Sequence, residues 1–385
     1  MKMKEMVKKA MIISIVGAMA VGFAGCGGKS ASSVSSGKTN AMKIGFVAAL
    51  TGGAAAYGKS EEEGVRMAVE EINAKGETPI DLLVEDSKAV PADAMNVTKK
   101  LINEKVSIII GPMTSNEAKA AGPIIQNAKV PSLEVSVTAE GITDMGDCIF
   151  RNSVPESVNI PQTASKTHKL LGYKTAAILY AHDNEQHMTA QKYYRQTLEG
   201  EGVTFVDVEA FGSKDSEYSA QLTNIQHANP DVIIICSYYQ EGSRILKKMR
   251  EMGMNQPVLG DNGFVSPELG KMAGAAADNV YVSSMWSAER DDPKTKAFVE
   301  NYTKKYGRAP DQFAAASYDG IYMAADAVKR AGSTTDHKKI RDALAQMKDF
   351  KGVCGTFSFD EKRDPVVDLV LMKMEGGKFS VVKTN

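Results

Sequence analysis

One stretch of the sequence matches a motif for binding phosphate groups. Residues 53–60, GAAAYGKS, fit the phosphate-loop pattern G-x-x-x-x-G-K-[ST] and lie between a strand-like run and a helix-like run. Such a loop works because free amides at the start of the helix point at the anion. Here Glu61, Glu62 and Glu63 follow at once, and their carboxylates would repel a triphosphate. Because short patterns also match by chance, we expect no nucleotide binding.

Hydroxyl side chains lie at the ends of two predicted strands. Thr114 and Ser115 follow the run VSIIIG, and Ser136 and Thr138 lie at the end of the run VPSLEVS. Hydroxyls and free amides at a helix start can hold an anionic group without a cationic side chain. The alternative is that Ser115 and Thr138 only cap helices. The sequence therefore offers these side chains as candidates for binding a carboxylate.

The other reactive side chains form no catalytic or metal-binding pattern. The five histidines lack a metal-ligand spacing, and the nucleophile-elbow sequence G-x-S-x-G does not occur. Cys148, Cys236 and Cys354 are far apart and form no C-x-x-C motif, so we expect core thiols. One pair of them could still form a disulfide in an oxidising compartment. We expect no enzyme activity, no metal and no cofactor.

The N-terminus has the composition of an export signal. Lysines precede the apolar run 11–24, which is short for a membrane span of roughly 20 residues, although a retained span is the alternative. Residues 23–26, FAGC, resemble the lipobox of bacterial lipoproteins, whose cysteine is lipidated. The Gly/Ser-rich residues that follow are typical of a flexible tether. We predict a signal peptide over 1–25, lipidation of Cys26 and a tether over 26–41.

From residue 42 onward, apolar strand-like runs alternate with helical periods. Strands that are apolar on both faces and alternate with helices indicate parallel sheets covered on both sides. The number of units exceeds one sheet, and Pro155 lies in a break. We predict an α/β fold of two doubly wound parallel-sheet lobes joined by a multi-crossing hinge. Helices are predicted, among other places, over about 58–74, 116–128 and 189–200. Lobe I is predicted over 42–153 plus about 285–350, and lobe II over 154–284 plus about 351–385.

Several long stretches resemble one protein family. TGGAAAYGKSEEEGVRMAVEEINAKG, IIIGPMTSNEAKAAGPIIQNAKVPSLEVSVTAEGIT and ASYDGIYMAADAVKRAG look like the leucine/isoleucine/valine-type solute-binding proteins of bacterial ABC importers. The resemblance covers residues 42–383, with the motifs in the family's order. It implies a periplasmic-binding-protein type I fold, in which two lobes close on a small solute and then dock on a membrane permease.

The resemblance also assigns roles to residues of the first lobe. In the family, a tyrosine of the motif TG-x-x-A-x-YG lines the solute cleft, which implies that role for Tyr57. Ser115, Ser136 and Thr138 match positions that grip the carboxylate and amino group of the ligand. The structural alternative for the first motif is that its glycines make a tight turn on which Tyr57 packs. Both roles can hold together.

In the second lobe the sequence matches the family and also departs from it. Tyr238 matches a tyrosine that lies against the solute, but Asn262 stands where the family usually has an acid that pairs with the ligand's ammonium. Gln186 lies in a segment, 181–190, that lacks the family's Asp-Tyr-Gly pattern. A buried ammonium without a carboxylate would be a costly unpaired charge. Either another acid replaces the missing one, or the ligand is not a standard α-amino acid. The acids available are Asp261, Asp183 and Glu185.

We therefore expect an exported, lipid-anchored, extracytoplasmic solute-binding protein that works with the permease and ATPase subunits of an ABC importer. The first expectation for the ligand is a small hydrophobic or branched-chain amino acid. The alternatives are an amide, a carboxylic acid or an aromatic acid in the same fold, or a ligand-sensing receptor module. The 46 basic and 47 acidic residues are nearly balanced, which argues against a nucleic-acid partner.

Overall fold

The structure, a computed structural model, describes residues 41–76 and 78–383, which fall within one unit of the chain. The predicted signal peptide and Cys26 lie outside the described residues. Within the described part, no helix combines the length and the apolar character needed to cross a membrane.

The chain first forms a five-stranded parallel sheet, which we call lobe I together with its covering helices. The strand order is β2-β1-β3-β4-β5, and every pair is parallel. The strands are β1 (Met42–Ala48), β2 (Ile80–Asp86), β3 (Ile108–Ile110), β4 (Ser132–Glu134) and β5 (Ile149–Arg151). The helices are α1 (Ala55–Lys75), α2 (Pro91–Asn103) and α3 (Ser115–Ala128).

The chain then enters a second set of strands and helices, which we call lobe II. Its first strands are also parallel, and β8 is buried at every residue, as its continuous apolar run predicts. The strands are β6 (Thr175–Ala181), β7 (Thr204–Phe211), β8 (Val232–Cys236), β9 (Val258–Gly260) and β10 (Val280–Ser284). The helices are α4 (Glu156–Leu171), α5 (Glu185–Gly200), α6 (Ser219–Ala228), α7 (Tyr239–Glu251) and α8 (Pro267–Ala273).

After β10 the chain returns to lobe I. The new helices are α9 (Pro293–Tyr306), α10 (Gln312–Ala331) and α11 (His337–Ala345). Helix α10 packs along α1. A small antiparallel sheet follows, made of β11 (Phe350–Gly352), β12 (Gly355–Phe359) and β13 (Pro365–Val366). It is fixed to β5 by the Arg151–Asp364 ion pair, at 2.6 Å, and by a Phe150–Phe359 ring contact.

The last two strands complete the sheet of lobe II. They are β14 (Val370–Glu375) and β15 (Lys378–Val381), and the seven-stranded order is β15-β14-β10-β9-β8-β6-β7. Strand β14 pairs antiparallel with both β10 and β15, and the two-residue hairpin loop between β14 and β15 is formed by Gly376 and Gly377, which have positive φ angles. A purely parallel sheet was therefore too simple an expectation for lobe II. The chain passes between the lobes after β5, after β10 and after β13. The predicted lobe boundaries stay a prediction, and the contacts of residues 350–366 favour placing them in lobe I.

Candidate functional site

The phosphate-loop motif forms a helix instead of a loop. Helix α1 begins at Ala55, so all of the motif except its first two residues is helical. The amides of Tyr57 and Gly58 donate to the carbonyl oxygen of Ala54, and the amide of Ala55 donates to Gly52. The amides of Ala55, Tyr57 and Gly58 are thus engaged and do not point at a phosphate, and the expectation that the motif binds no nucleotide stays a prediction.

Gly58 lies inside α1 at a close approach to β1, not in a turn. A Cβ atom added at Gly58 would lie 2.1 Å from the carbonyl oxygen of Ala49. The expectation that this glycine makes a strand-to-helix turn was therefore wrong. Its missing side chain lets the helix pass close to the end of the strand, and this closeness brings Tyr57 to the cleft between the lobes.

Tyr57 connects the two lobes through its hydroxyl group. The Oη atom donates to the carbonyl oxygen of Gly263, at 2.5 Å, and accepts from the amide of Tyr239, at 3.0 Å. Its ring lies edge-on to Tyr238, with the centroids 5.6 Å apart, and is tilted against Phe313, at 4.6 Å. Burial raises the pKa of Tyr57 well above its usual value, so the phenol stays neutral.

The hydroxyls of lobe I are buried and hydrogen-bonded. Ser136 Oγ donates to the carbonyl oxygen of Met113, at 2.8 Å, and Thr138 Oγ1 donates to Glu156 Oε1, at 3.2 Å. Ser115 Oγ accepts from the amide of Ala139, at 3.2 Å. Ser115 is therefore not a helix cap.

The cap of α3 is Thr114, which forms a capping box with Glu117. The hydroxyl and the amide of Thr114 both donate to Glu117 Oε2, at 2.7 and 2.9 Å. The carboxyl group of Glu117 thus already lies at the N-terminus of α3. Burial raises the pKa of Glu117.

Helix α5 starts earlier than predicted and carries a polar side chain into the cleft. Asn184 caps the helix, because its Oδ1 atom accepts from the amides of Gln186, at 3.0 Å, and His187, at 3.4 Å. Gln186 is therefore the second residue of the helix. Its side chain is 4% exposed, and its Nε2 atom has no hydrogen-bond partner.

Asn262 lies at the centre of the site. Its backbone amide donates to Glu156 Oε1, at 3.2 Å, and its side-chain Oδ1 atom accepts from Gln312 Nε2, at 2.5 Å. Gln312 begins α10, so this contact also joins lobe II to lobe I. The side chain that takes the place of the family's acid is thus held by an amide–amide hydrogen bond.

The three acids considered as replacements all have other partners. Asp261 Oδ2 lies 2.5 Å from His187 Nδ1, and its Oδ1 atom accepts from the amide of Gly263, at 3.0 Å. Asp183 accepts from Ser213, at 2.8 Å. Glu185 is paired with Lys119, at 2.6 Å. None of the three lines either cavity described below.

Two small cavities lie side by side between the lobes, and each has a volume of about 20 Å³. They share Ser136, Asn262 and Phe313. The cleft cavity is also lined by Tyr57, Met113, Thr114, Gln186, Tyr238 and Gly263. The hinge cavity is also lined by Val135, Ser153, Val154, Asn159, Ser283, Ser284, Met285, Gln312, Ala316 and Leu369. Because a water molecule needs about 10–15 Å³ by this measure, each cavity has room for little more than one water.

Five of the eight predicted site residues line these cavities, and three lie just behind them. The five are Tyr57, Ser136, Gln186, Tyr238 and Asn262, and the three are Ser115, Thr138 and Asp261. Gln312 and Phe313 were not predicted, although they lie only a few residues before the family-like stretch ASYDGIYMAADAVKRAG.

Glu156 was also not predicted. Its carboxyl group accepts from Thr138, Asn262 and Asn159, so it links residues of both lobes behind the cavities. Burial, followed by the charge of Asp261, raises the pKa of Glu156 well above its usual value. The only sequence signal was an acid directly after Pro155 at a helix start.

Metal binding has no support in the described part of the chain. No group of three or more histidine, cysteine, aspartate or glutamate side chains there is arranged to hold an ion. Cys148, Cys236 and Cys354 are buried free thiols.

Comparison with known proteins agrees with this architecture. The family model described as "Periplasmic binding protein" matches residues 41–378. The leucine-, isoleucine-, valine-, threonine-, and alanine-binding protein of Pseudomonas aeruginosa is 25% identical over 328 residues, which are 84% of this chain and 87% of that protein.

Solved structures show the same fold. The branched-chain amino acid transporter substrate binding protein LivJ from Streptococcus pneumoniae, in complex with isoleucine, is 32% identical, with a TM-score of 0.84 over 89% of this chain and 100% of that chain. A solute binding protein of an ABC transporter from Rhodopseudomonas palustris BisB5, in complex with 3,4-dihydroxybenzoic acid, is 25% identical, with a TM-score of 0.81 over 88% and 95% of the two chains. These relatives are binding proteins and not enzymes. The predicted family and fold are confirmed, and the chain belongs to the periplasmic binding protein family.

Proposed function

We propose that this protein is the extracytoplasmic solute-binding component of an ABC importer. Its ligand would be a small amino acid, first a hydrophobic or branched-chain one, or a related compound of similar size, held between the lobes. The observation that carries this proposal is the meeting of Tyr57, Ser136 and Phe313 of lobe I with Tyr238 and Asn262 of lobe II around paired cavities. The named ligands of the P. aeruginosa and S. pneumoniae relatives support the first choice of ligand.

An aromatic acid is the second candidate ligand. The R. palustris relative, solved with 3,4-dihydroxybenzoic acid, supports it. The ring groups of Tyr57, Tyr238 and Phe313 around the cleft cavity would also suit a flat ligand.

Binding would be coupled to movement of the lobes about the chain crossings. The cavities are too small for an amino acid, so the lobes have to separate before a solute can enter. A solute that contacts both lobes would then favour the closed arrangement, because those contacts exist only when the lobes meet. In this proposal, the closed form is the one delivered to the permease and ATPase subunits.

Titration with Trp286 fluorescence tests the proposal. Trp286, the only tryptophan, is buried against Phe298 and packs with Val154, Met285 and Leu369 at the crossings. We expect leucine, isoleucine, valine or 3,4-dihydroxybenzoate to give a saturable signal and a higher melting temperature, whereas ATP should give neither. The absence of any response to these solutes would reject the proposed ligand classes. A saturable ATP effect lost in Lys59→Ala would reject our interpretation of the motif.

Single-residue variants test whether the solute binds in the cleft. Tyr57→Ala and Ser115→Ala should weaken binding of the solute that gives a fluorescence signal, without unfolding the protein. Ser216→Ala, at an exposed position, should leave the affinity unchanged. Equal affinities for all three variants would show that the solute binds elsewhere.

We also propose that the protein is exported and lipid-anchored through Cys26. The supporting sequence is the basic N-terminus, the apolar run and FAGC. Cys26→Ala should move the protein from the membrane fraction to the soluble extracytoplasmic fraction. An unchanged membrane fraction would argue for a retained N-terminal span.

A further inference from the structure

The lining of the two cavities offers no charged partner for a free ammonium group. Among the residues that the structure describes, no charged side chain lines the cleft cavity or the hinge cavity. Their polar lining consists of hydroxyls, side-chain amides and the phenols of Tyr57 and Tyr238. A buried ammonium needs a carboxylate or several acceptors, because an unpaired charge in such a place costs much of the binding free energy.

The acids behind the lining are already engaged. Both oxygens of Glu156 accept hydrogen bonds, from Thr138 and Asn262 on one oxygen and from Asn159 on the other. Asp261 is held by His187 and by the amide of Gly263. A ligand ammonium would have to displace some of these contacts before it could reach either acid, and one of them, Thr138 to Glu156, also joins the two lobes.

Asn262 stands where the family usually has an acid, and its side-chain oxygen already accepts a hydrogen bond. Asn262 Oδ1 accepts from Gln312 Nε2, and Gln312 Oε1 accepts from the hydroxyl of Ser284, at 2.8 Å. This chain of neutral groups runs from the shared wall of the two cavities to the end of β10. An ammonium group next to it would meet donors and occupied acceptors.

The polar atoms that lack partners are a donor, an acceptor and a hydroxyl, which suit a neutral group, such as an amide, that both accepts and donates hydrogen bonds. Gln186 Nε2 is a buried donor at the cleft cavity. At the hinge cavity, Ser283 Oγ and Asn159 Oδ1 are also without partners, on side chains that are 1% and 3% exposed. Buried polar atoms are rarely left unsatisfied, so these three atoms mark where a ligand would form hydrogen bonds.

We propose that the preferred ligand is a branched-chain carboxylic acid or amide that has no free ammonium group. This inference rests on the proposed function and narrows its ligand class. The ligand has the size of a branched-chain amino acid. Its oxygen accepts from Gln186, and the apolar remainder packs on Tyr57 and Phe313.

Calorimetric titration with three compounds of one carbon skeleton tests the inference. Leucine carries the ammonium and the carboxylate, 4-methylpentanoate lacks the ammonium, and 4-methylpentanamide carries no charge. We expect the acid or the amide to bind at least about tenfold more tightly than leucine, because neither leaves a buried ammonium unpaired.

Carboxylate variants provide the matched test of the site. Asn262→Asp keeps the side-chain shape and adds the missing charge, so the affinity ratio should shift toward leucine by at least about tenfold. Gln312→Glu places a carboxylate at the neighbouring position, if Asn262→Asp does not fold. Asn301→Asp, on the exposed face of α9, is the control and should leave the ratio unchanged.

The outcomes separate this inference from the proposed function. Tighter binding of leucine than of both other compounds would overturn the inference and leave the proposed function standing. No binding of any of the three would overturn the branched-chain ligand class and the inference with it. If neither carboxylate variant shifts the affinity ratio toward leucine, the proposal that the amide of Asn262 disfavours a ligand ammonium is overturned.

Discussion

Two glutamate side chains near the cleft are buried away from water. Glu61 and Glu134 are fully buried, and burial raises the pKa of each from 4.5 to about 8. Arg151 opposes this effect at Glu134, and Glu117 adds to it at both. The folded protein therefore holds protons on both acids between pH 4.5 and about 8, where the unfolded chain has released them.

This proton difference predicts that the protein loses stability as the pH rises through this window. The folded state binds more protons than the unfolded state, so each group lowers the free energy of unfolding by at most about 1.4 kcal/mol per pH unit. Glu61→Gln removes the ionisable group. We expect the variant to gain melting temperature relative to the parent at about pH 8 and to gain little at about pH 5.

Glu300→Gln is the control for this prediction, since Glu300 is exposed on α9. Its melting temperature should follow the parent at both pH values. If Glu61→Gln also follows the parent at both, Glu61 does not carry a proton in the folded protein near neutral pH.

The sequence predicted much of the residue-level arrangement, but only where a motif marked it. Tyr57, Tyr238 and Asn262 follow strands in recognisable stretches, and the structure brings them together. Glu156 and Gln312 were missed, because their importance comes from hydrogen bonds to residues distant in the chain. Whether the predicted residues bind the solute stays a prediction.

Among the elements, the packing of α1 on β1 sets the position of the cleft. We predict that Gly58→Ala destabilises the protein by about 3 kcal/mol, because the new Cβ atom would meet the backbone of Ala49 and not a flexible side chain. The variant should also weaken solute binding by displacing Tyr57. Denaturant unfolding and titration measure the two effects.

Gly200→Ala is the matched control, also within a helix. A Cβ atom at Gly200 has no neighbour within 4 Å, so the change should be neutral or stabilising by up to about 1 kcal/mol. Similar free energies of unfolding for the two variants would show that α1 can move away from β1 at little cost.

The elements themselves show why some boundaries could be predicted and others could not. The helix predicted over 116–128 spans Ser115–Ala128 in the structure, because its periodicity and its flanking residues agree. Helix α5 was predicted from about 189 and begins at Glu185, since the asparagine cap lies in a polar stretch without an apolar period. The short strands β9 and β10 also lacked a clear pattern, and their pairing with neighbours stabilises them.

For the whole molecule, two kinds of contact hold the lobes together, and we predict that they differ in strength. Lys119–Glu185 and Lys192–Glu140 are exposed ion pairs of 2.6 Å, each worth about 0–1 kcal/mol. Tyr57 makes buried hydrogen bonds, and their loss would leave the amide of Tyr239 unsatisfied, at about 1–3 kcal/mol. Without solute, Tyr57→Phe should therefore increase the radius of gyration in small-angle scattering more than Lys119→Ala does.

Salt provides the check on this comparison. The effect of Lys119→Ala should shrink at high ionic strength, because exposed pairs are screened, whereas the effect of Tyr57→Phe should persist. A larger expansion for Lys119→Ala than for Tyr57→Phe would mean that surface charges control closure.

The return of the chain to lobe I and then to lobe II has a consequence for biosynthesis. The sheet of lobe II receives β14 and β15 only when residues 370–381 have left the ribosome, and α10, which covers α1, is made at residues 312–331. Until then β10 lacks its outer neighbour and α1 lacks its partner, so neither lobe can complete its packing when its first strands and helices have been made. We therefore expect the apolar strands of both lobes to stay incompletely covered until most of the chain has been synthesised.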